Sequence, residues 1–174
     1  WGVNAIRLAM YTEEYNGYCS GGSQAKLRKL VDKGVGYATD LGMYAIIDWH
    51  ILSDGNPNKN KSQAKKFFTT MAKKYKNNKN VIYEICNEPN GCSWKEIKSY
   101  ATDIIKTIRK YDKKAVIIVG TPTWSQLGTD GTSNEVADSP IKGYKNIMYS
   151  LHFYASEWAH NEYLPAKVAY ARKK

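Results

Sequence analysis

Five nearly continuous apolar stretches constrain the fold of this chain more than any other feature of its sequence. They are VNAIRLAM, YAIIDWH, VIYEICNE, AVIIVG and IMYSLHFY. Strands that are buried on both faces of a parallel sheet carry such runs without polar alternation. Because parallel neighbours need a crossover connection, the segments between the stretches should contain helices.

Three connecting segments have the apolar spacing of helices that pack on a sheet. The first follows Ser23, a suitable N-cap, and repeats apolar residues at Leu27, Leu30, Val31, Ala38 and Leu41. The second groups Phe67, Phe68, Met71, Ala72 and Tyr75 on one side. The third opens with a capping box of Ser93 and Glu96 and continues with an apolar stripe at Ile97, Tyr100, Ala101, Ile104, Ile105 and Ile108.

The remaining connections complete a repeating order of strands and helices. Residues 121–146 are rich in Gly, Ser and Asp and predict a long loop with one short helical turn, and NEYLPAKVAYARKK begins a final helix. The order β-α-β-α-β-α-β-loop-β-α predicts the α/β class, as either an open doubly wound sheet or a (β/α)8 barrel. No G-x-G-x-x-G follows a strand, so nothing supports the dinucleotide-binding variety.

The charge and the aromatic content leave several classes of partner open. The net charge is +10 and comes mostly from lysines in polar segments, which are typical of solvated helix faces. The 14 Tyr and 5 Trp against 3 Phe suit surfaces that are both apolar and polar, such as sugar-binding clefts, although ordinary tyrosines would give the same composition. A nucleic-acid binder would more often group Arg and Lys with aromatic residues on one face.

The cysteines and the hydropathy exclude two further classes. Cys19, Cys86 and Cys92 form no dense disulfide framework and no C-x-x-C or Cys/His metal motif, and one disulfide would leave one free thiol. No apolar run is long enough to span a membrane. No signal peptide is visible. The chain opens directly on strand-like sequence, which leaves open a targeting segment upstream of it.

Polar and aromatic side chains cluster where the predicted strands end. We place Arg7 near the end of the first strand, His50 at the end of the second, Asn87 and Glu88 at the end of the third, Trp124 after the fourth, and His152 and Tyr154 at the end of the fifth. In a βα barrel these ends converge on the face that carries the active site. Each residue alone could be structural, and we interpret Asp48 and Glu84, inside their strands, as paired structural acids.

This set of side chains suits the hydrolysis of a glycosidic bond. A general acid must protonate the leaving oxygen, and Glu88 is the candidate; a retaining enzyme pairs it with a second carboxylate roughly 5–5.5 Å away. The neighbouring amide could bind a sugar hydroxyl, and Trp124 offers a flat face to a pyranose ring. Arg7 would keep a nearby carboxylate ionised, and Tyr154 could hydrogen-bond that carboxylate.

The sequence resembles glycoside hydrolase family 5, and most closely its bacterial-type endo-β-1,4-glucanases. The matching blocks occur in the family's order and are NAIRLAMY, IIDWHILSDGNPN, VIYEICNEPNG, IIVGTPTWSQ and YSLHFYA. The resemblance covers essentially the whole chain. It implies a (β/α)8 TIM barrel, retaining cleavage of internal β-1,4-glucosidic bonds, no cofactor and no metal, and a secreted, extracellular protein.

The resemblance also implies a role for each strand-end residue. Its catalytic set is Glu88 as acid/base, Arg7 supporting the nucleophile, His152 lining the central subsite and Tyr154 touching the nucleophile. Its substrate-binding set is His50, Asn87, Trp124 and Tyr11. The implied partner is a β-glucan polysaccharide or oligosaccharide, with no nucleic acid and no membrane, and the full-length protein is expected to be a monomer.

One part of the family pattern is missing from this sequence. The family's nucleophile is a glutamate at the end of the seventh strand, whereas this chain corresponds to about strands two to six and stops inside the sixth helix. Glu157, in SEW, lies only three residues beyond Tyr154, too close for a crossover and another strand, so we do not assign it as the nucleophile. We therefore expect residues 1–174 to be an incomplete, single catalytic domain.

Two other classes of function remain open at this stage. The chain could be a non-catalytic sugar-binding fragment of such an enzyme, which a glucan-binding assay without product would support. It could also be a basic protein that binds acidic polymers through its lysines, with steep salt dependence and no sugar preference. The latter leaves the strand-end residues unexplained. Among enzymes, activity on β-mannan, xyloglucan or lichenan is also compatible with the sequence.

Overall fold

Five parallel strands form a single sheet in the part of the chain that the computed structural model describes, residues 2–128 and 130–174. The strands are β1 (Ala5–Tyr11), β2 (Tyr44–His50), β3 (Val81–Glu84), β4 (Val116–Val119) and β5 (Ile147–Tyr149). Their order in the sheet is their order in the chain. A doubly wound sheet reverses its strand order at one point, so this order fits the barrel alternative.

Six helical segments accompany the strands in the described residues. They are α1 (Gln24–Asp40), α2 (Lys61–Tyr75), α3 (Trp94–Arg109), α4 (Pro122–Ser125), α5 (Glu135–Asp138) and α6 (Trp158–Ala171). The predicted loop of residues 121–146 thus contains one ordinary helical turn, α5, as predicted, and in addition α4, in which Thr123 and Trp124 have left-handed backbone angles. Over the described ranges, no helix is both long enough and apolar enough to cross a membrane.

Helices α2 and α3 cover the sheet with the apolar faces that the sequence predicts. Every predicted face residue of α2 is buried, and the ring of Phe67 lies 5.4 Å from that of Trp49 in β2. The predicted stripe of α3 is likewise fully buried. The capping box is also confirmed, because Ser93 Oγ accepts from the Glu96 N–H and the Glu96 carboxylate accepts from the Ser93 N–H.

Helix α1 differs from the prediction in the face that it buries. Ser23 is its N-cap, as predicted, but Leu30 is 63% and Leu41 73% exposed. Of the predicted set, Val31 and Ala38 are buried and Leu27 packs partly buried against the core, while Val35, which lies outside the set, is also buried. A spacing of three to four residues fits two adjacent faces of one helix, and packing against β1 and β2 selects the one centred on Val35.

Three predicted strand positions need correction. Arg7 is the third of seven residues in β1 rather than near its end, while His50 does end β2. Strand β3 ends at Glu84 instead of Glu88, because the Asn87 N–H donates to Trp49 O (3.2 Å) outside the regular ladder. Strand β5 also ends early, so His152 and Tyr154 lie in the loop that follows it.

Candidate active site

The loops that follow the carboxyl ends of the strands enclose a cavity of about 400 Å³. Its lining residues come from four of these loops and from the start of α6: Leu52, Glu88, Trp124, Gln126, His152, Tyr154, Glu157 and His160. Four of these were predicted as site residues. A larger cavity, of about 690 Å³, lies between β5, α5 and α6, but it contains none of the predicted site residues.

Glu88 and His152 form the central contact of the cavity. His152 Nδ1 lies 2.8 Å from Glu88 Oε1, and the two side chains are 32% and 20% exposed. One proton lies between these two atoms, donated either by the imidazole or by a protonated carboxyl group. Because the carboxyl group is held at a ring nitrogen and still reaches solvent, Glu88 can exchange a proton with a molecule in the cavity.

A left-handed turn holds the loops of Glu88 and His152 together. The φ angles of Thr123, Trp124 and Ser125 are 56°, 53° and 64°, which non-glycine residues rarely adopt. Ser125 Oγ donates to Asn87 O (2.7 Å), and Ser125 O accepts from the His152 N–H (2.8 Å). The turn therefore fixes the backbone on both sides of the Glu88–His152 contact.

The same turn presents an aromatic face to the cavity. The Trp124 N–H donates to Pro89 O (3.0 Å), which ties the residue to the loop that follows Glu88. Its side chain is 46% exposed although its backbone lies in a well-bonded turn. A large ring that is held open to solvent in this way can stack on the apolar face of a sugar.

A second group of predicted residues lies around Arg7 and does not line this cavity. Arg7 donates from Nε to Glu84 Oε2 (2.6 Å) and from Nη2 to Glu84 Oε1 (2.8 Å). Its Nη2 also lies 3.0 Å from Asp48 Oδ2. These contacts confirm that Asp48 and Glu84 are paired acids.

Burial and the neighbouring charges both shift the pKa values of this group. Burial raises the pKa of Asp48, and the negative charge of Glu84 raises it further. The hydrogen bond to His50 and the positive charge of Arg7 lower it, but they do not cancel the rise, and the resulting pKa is about 6. Burial lowers the pKa of Arg7, but the hydrogen bond to Glu84 and the nearby negative charges outweigh it, so the net shift is upward. Arg7 therefore stays charged between the two acids.

Asn87 is almost fully buried and is hydrogen-bonded on both sides of its amide. It is 2% exposed, and its Oδ1 accepts from Arg7 (2.7 Å). Its Nδ2 donates to Ile51 O (3.0 Å) and lies 3.4 Å from His50 Nε2. Asn87 thus joins the Arg7 group to the backbone beside Glu88.

His50 and Tyr11 complete the Arg7 group. His50 Nδ1 lies 2.6 Å from Asp48 Oδ2, which favours the tautomer with its proton on Nδ1. The Tyr11 ring packs at 4.3 Å from the His50 ring. The eight predicted site residues are therefore divided equally: Arg7, Tyr11, His50 and Asn87 in one group, and Glu88, Trp124, His152 and Tyr154 in the other.

Four cavity residues were not among the predicted site residues. Glu157 is the N-cap of α6, in the loop position that the sequence predicted, and Leu52 follows β2. Gln126 accepts a hydrogen bond from Tyr163 (2.6 Å) and stands two residues after Trp124 in TWSQ. His160 was overlooked because it lies on a helix rather than at the end of a strand.

Tyr154 differs in exposure from the other cavity residues. Its side chain is 69% exposed, and its ring stacks on that of His160 with centroids 6.3 Å apart. No hydrogen bond from its hydroxyl to a carboxylate occurs among the described residues. The described ranges also contain no cluster of three or more His, Cys, Asp or Glu side chains that could hold a metal ion.

Comparison with known proteins identifies the family that this arrangement matches. The family model described as Cellulase (glycosyl hydrolase family 5) matches residues 1–171. Endoglucanase A of Butyrivibrio fibrisolvens is 53% identical over 158 residues, which are 89% of this chain and 35% of that protein. The endoglucanase of Clostridium saccharobutylicum is 53% identical over 178 residues, and this match covers 100% of this chain and 37% of that protein.

Solved structures give the same result for the fold. The catalytic domain of Thermobifida fusca endoglucanase Cel5A superposes with a TM-score of 0.90 at 41% identity, over 98% of this chain and 54% of that domain. A variant of the same domain in complex with cellotetraose gives a TM-score of 0.79 at 45% identity, over 88% of this chain and 50% of that one. The chain thus spans about half of these domains and about a third of the curated relatives.

Proposed function

The chain belongs to glycosyl hydrolase family 5, the cellulase family, and we propose from this that it takes part in cleaving internal β-1,4-glucosidic bonds of cellulose or a related β-glucan. The family is one of glycosidases, and the relatives at 53% identity are named endoglucanases. The cavity beside Glu88 is the proposed place of the bond that is cut. The cellotetraose bound by the related Thermobifida fusca domain supports an oligosaccharide ligand of the same class.

In this mechanism Glu88 is the general acid and then the general base. It protonates the glycosidic oxygen as the bond breaks, and afterwards it removes a proton from the water that releases the product. The contact of its Oε1 with His152 Nδ1 supports this role, because the imidazole can hold the carboxyl group in place in both protonation states. His152 is thus proposed to act through Glu88 and to line the central subsite.

The remaining roles follow from the two groups of side chains. Trp124 is proposed to stack on a sugar ring. Tyr154, whose side chain is exposed, is proposed to hydrogen-bond a nucleophilic carboxylate through its hydroxyl group. Arg7, with its raised pKa, would support that carboxylate. We propose that His50, Asn87 and Tyr11 shape the neighbouring sugar subsite, with Asn87 chiefly fixing the backbone beside the general acid.

A retaining mechanism needs a second carboxylate roughly 5–5.5 Å from the first. Glu157 lines the cavity, but it caps α6 in the loop after β5, and we do not assign it as the nucleophile. We propose that the nucleophile lies on a strand outside these 174 residues, in line with the 54% of the Thermobifida fusca catalytic domain that the chain covers. Residues 1–174 would then be part of a single catalytic domain in a protein that is secreted and monomeric at full length.

The Glu88–His152 contact carries this proposal, and a change of Glu88 tests it. In the full-length protein, which would supply the nucleophile, reducing-sugar release from carboxymethylcellulose should fall by roughly 10²–10⁴-fold in Glu88→Gln, because the amide cannot transfer a proton. Cleavage of 2,4-dinitrophenyl cellobioside should fall much less in its first step, because that leaving group departs without an acid. Glu162→Gln is the matched control, because Glu162 is exposed on α6 and does not line the cavity.

An equal loss on both substrates would argue against Glu88 as a proton donor. Unchanged activity on carboxymethylcellulose would exclude it from the reaction altogether. A second candidate function, binding of glucan without cleavage, is favoured by the half-exposed Trp124 beside a single imidazole-bound carboxylate. Retention of the full-length protein on cellulose without release of reducing sugar would support that alternative.

A further inference from the structure

His160 is the third histidine of the sequence and the one to which the proposed mechanism gives no role. It lies in the first turn of α6, six residues after Tyr154, and its ring lines the same cavity as Glu88 and Trp124. Its position therefore raises the question of what it offers to a molecule in that cavity.

A backbone hydrogen bond decides which tautomer His160 adopts. The Tyr154 N–H donates to His160 Nδ1 at 2.9 Å. A nitrogen that accepts a hydrogen bond carries a lone pair, so the neutral ring must carry its proton on Nε2. The imidazole is thus set up to donate from Nε2 without being charged.

Two aromatic rings fix the direction of that donor. The Tyr154 ring lies nearly parallel to the imidazole, at 23° and 6.3 Å between centroids. The Tyr163 ring meets the imidazole edge-on, at 84° and 6.4 Å. Together with the bond on Nδ1, these contacts favour one orientation of the imidazole.

The Nε2 atom is available to a ligand. Over residues 2–128 and 130–174, the only hydrogen bond to the His160 ring is the one on Nδ1. Nε2 is not among the buried polar atoms that lack a partner, so it is accessible to solvent, and His160 is one of the residues that line the cavity. A fixed, neutral donor at the edge of a cavity suits an uncharged acceptor such as a sugar hydroxyl.

We propose that the Nε2–H of His160 donates a hydrogen bond to a hydroxyl group of the glucosyl unit that binds beside Trp124. His160 is then a substrate-binding residue contributed by α6, in addition to those contributed by the strand-end loops. The inference rests on the proposed function, because the class of ligand comes from there.

Amide side chains that imitate one ring nitrogen at a time can test this inference. In His160→Asn, the Asn Oδ1 can replace Nδ1 as the acceptor for Tyr154, but the donor at Nε2 is lost. In His160→Gln, the Gln Nε2 can replace the donor, but the acceptor is lost. His160→Ala removes both. Cellotetraose affinity is measured by calorimetry for each variant in the Glu88→Gln background, where the ligand is not hydrolysed.

We expect His160→Asn and His160→Ala to weaken cellotetraose binding by roughly fivefold, the usual effect of one lost hydrogen bond. His160→Gln should bind within about twofold of the parent, because it keeps a donor at the right place. Asn161→Ala is the matched control. It removes a different bond between α6 and the same loop, Asn161 Nδ2 to Ala155 O (2.9 Å), and should leave the affinity unchanged.

Three results would overturn the inference. If His160→Asn binds as tightly as the parent, Nε2 makes no contact with the sugar. If His160→Gln binds no better than His160→Ala, or if Asn161→Ala weakens binding equally, His160 only anchors the loop. If the parent itself does not bind cellotetraose, the proposed substrate class fails together with the inference, and this result is distinct from the first two.

Discussion

At the scale of single residues, the environment of Asp48 is the most unusual in the described chain. Its side chain is fully buried, and Oδ1 has no hydrogen-bond partner while Oδ2 contacts both Arg7 and His50. Glu84 adds a second negative charge to the same guanidinium. Burial first, and the negative charge of Glu84 second, raise the cost of ionising Asp48, which is why its pKa rises.

The raised pKa predicts how stability depends on pH. Burial shifts the pKa of Asp48 from 3.8 to about 6 in the folded protein, so the folded state binds the proton more tightly than the unfolded chain. The contribution of Asp48 to the free energy of unfolding is therefore greatest below about pH 4 and decreases as the pH rises towards 6.

Urea unfolding of the parent and Asp48→Asn at several pH values measures this contribution. Because Asn does not titrate, we expect the parent to lose stability relative to the variant between about pH 4 and pH 6. A constant difference between the two proteins over this range would show that Asp48 has an ordinary pKa in the folded state.

Trp124 gives a second prediction at this scale. Its exposed ring should contribute mainly to sugar binding, so Trp124→Ala should weaken cellotetraose binding by roughly tenfold with little change in the midpoint of unfolding. Trp158→Ala is the control, because Trp158 is 75% exposed but does not line the cavity. Equal loss of affinity in both variants would argue against a specific platform at Trp124.

At the scale of elements, α3 shows how a short sequence pattern specifies a helix start. Ser93 and Glu96 satisfy each other's backbone N–H groups, and the apolar stripe begins directly afterwards. Both signals are local, so they can be recognised without knowing what the helix packs against. This is why α3 was predicted accurately while the buried face of α1, which depends on its neighbours, was not.

The cap of α3 can be tested by unfolding experiments. Ser93→Ala should lower the free energy of unfolding by about 1 kcal/mol, and Ser93→Gly by only a few tenths. Ser23→Ala at the start of α1 should cost less than Ser93→Ala, because Ser23 has no reciprocal glutamate, while the two cap bonds are of similar length (3.4 and 3.3 Å). A larger loss at Ser23 would contradict this ranking of the two caps.

Strand ends were harder to predict from sequence than strand centres. The apolar runs around β3 and β5 continue beyond the regular hydrogen-bond ladder into segments that hydrogen-bond to the turn at Ser125. Composition does not distinguish residues paired in a strand from residues bonded to a turn. The catalytic candidates Glu88 and His152 lie in these irregular segments, so the sequence predicted their proximity but not their backbone.

At the scale of the whole molecule, the middle of the sheet is better protected from solvent than its two sides. Side chains in the middle strands such as Ile47, Tyr83 and Ile117 are fully buried, whereas Ile6 in β1 is 42% and Met148 in β5 is 55% exposed. Strands β1 and β5 each have one hydrogen-bonded neighbour among the described residues, while β2 to β4 each have two. The protein should therefore open first at the two sides of the sheet.

Amide hydrogen exchange of this chain would detect that difference. We expect slow exchange in β2 to β4 and exchange at least about tenfold faster in β1 and β5, because edge amides open without unfolding the core. Equal protection of β1 and β3 would mean that another segment or chain covers the side formed by β1. The βα order alone left a doubly wound sheet open, and the barrel that the family resemblance implies is what indicates which strands lie in the middle.

The turn at Ser125 has a consequence for how this family can be recombined. It is bonded to the loop of Glu88 through Asn87 O and to the loop of His152 through its own carbonyl group. A chimera that takes only one of these three loops from a relative would change one partner in one or both of these hydrogen bonds. When substrate specificity is transferred between homologues, the three loops should therefore be exchanged together.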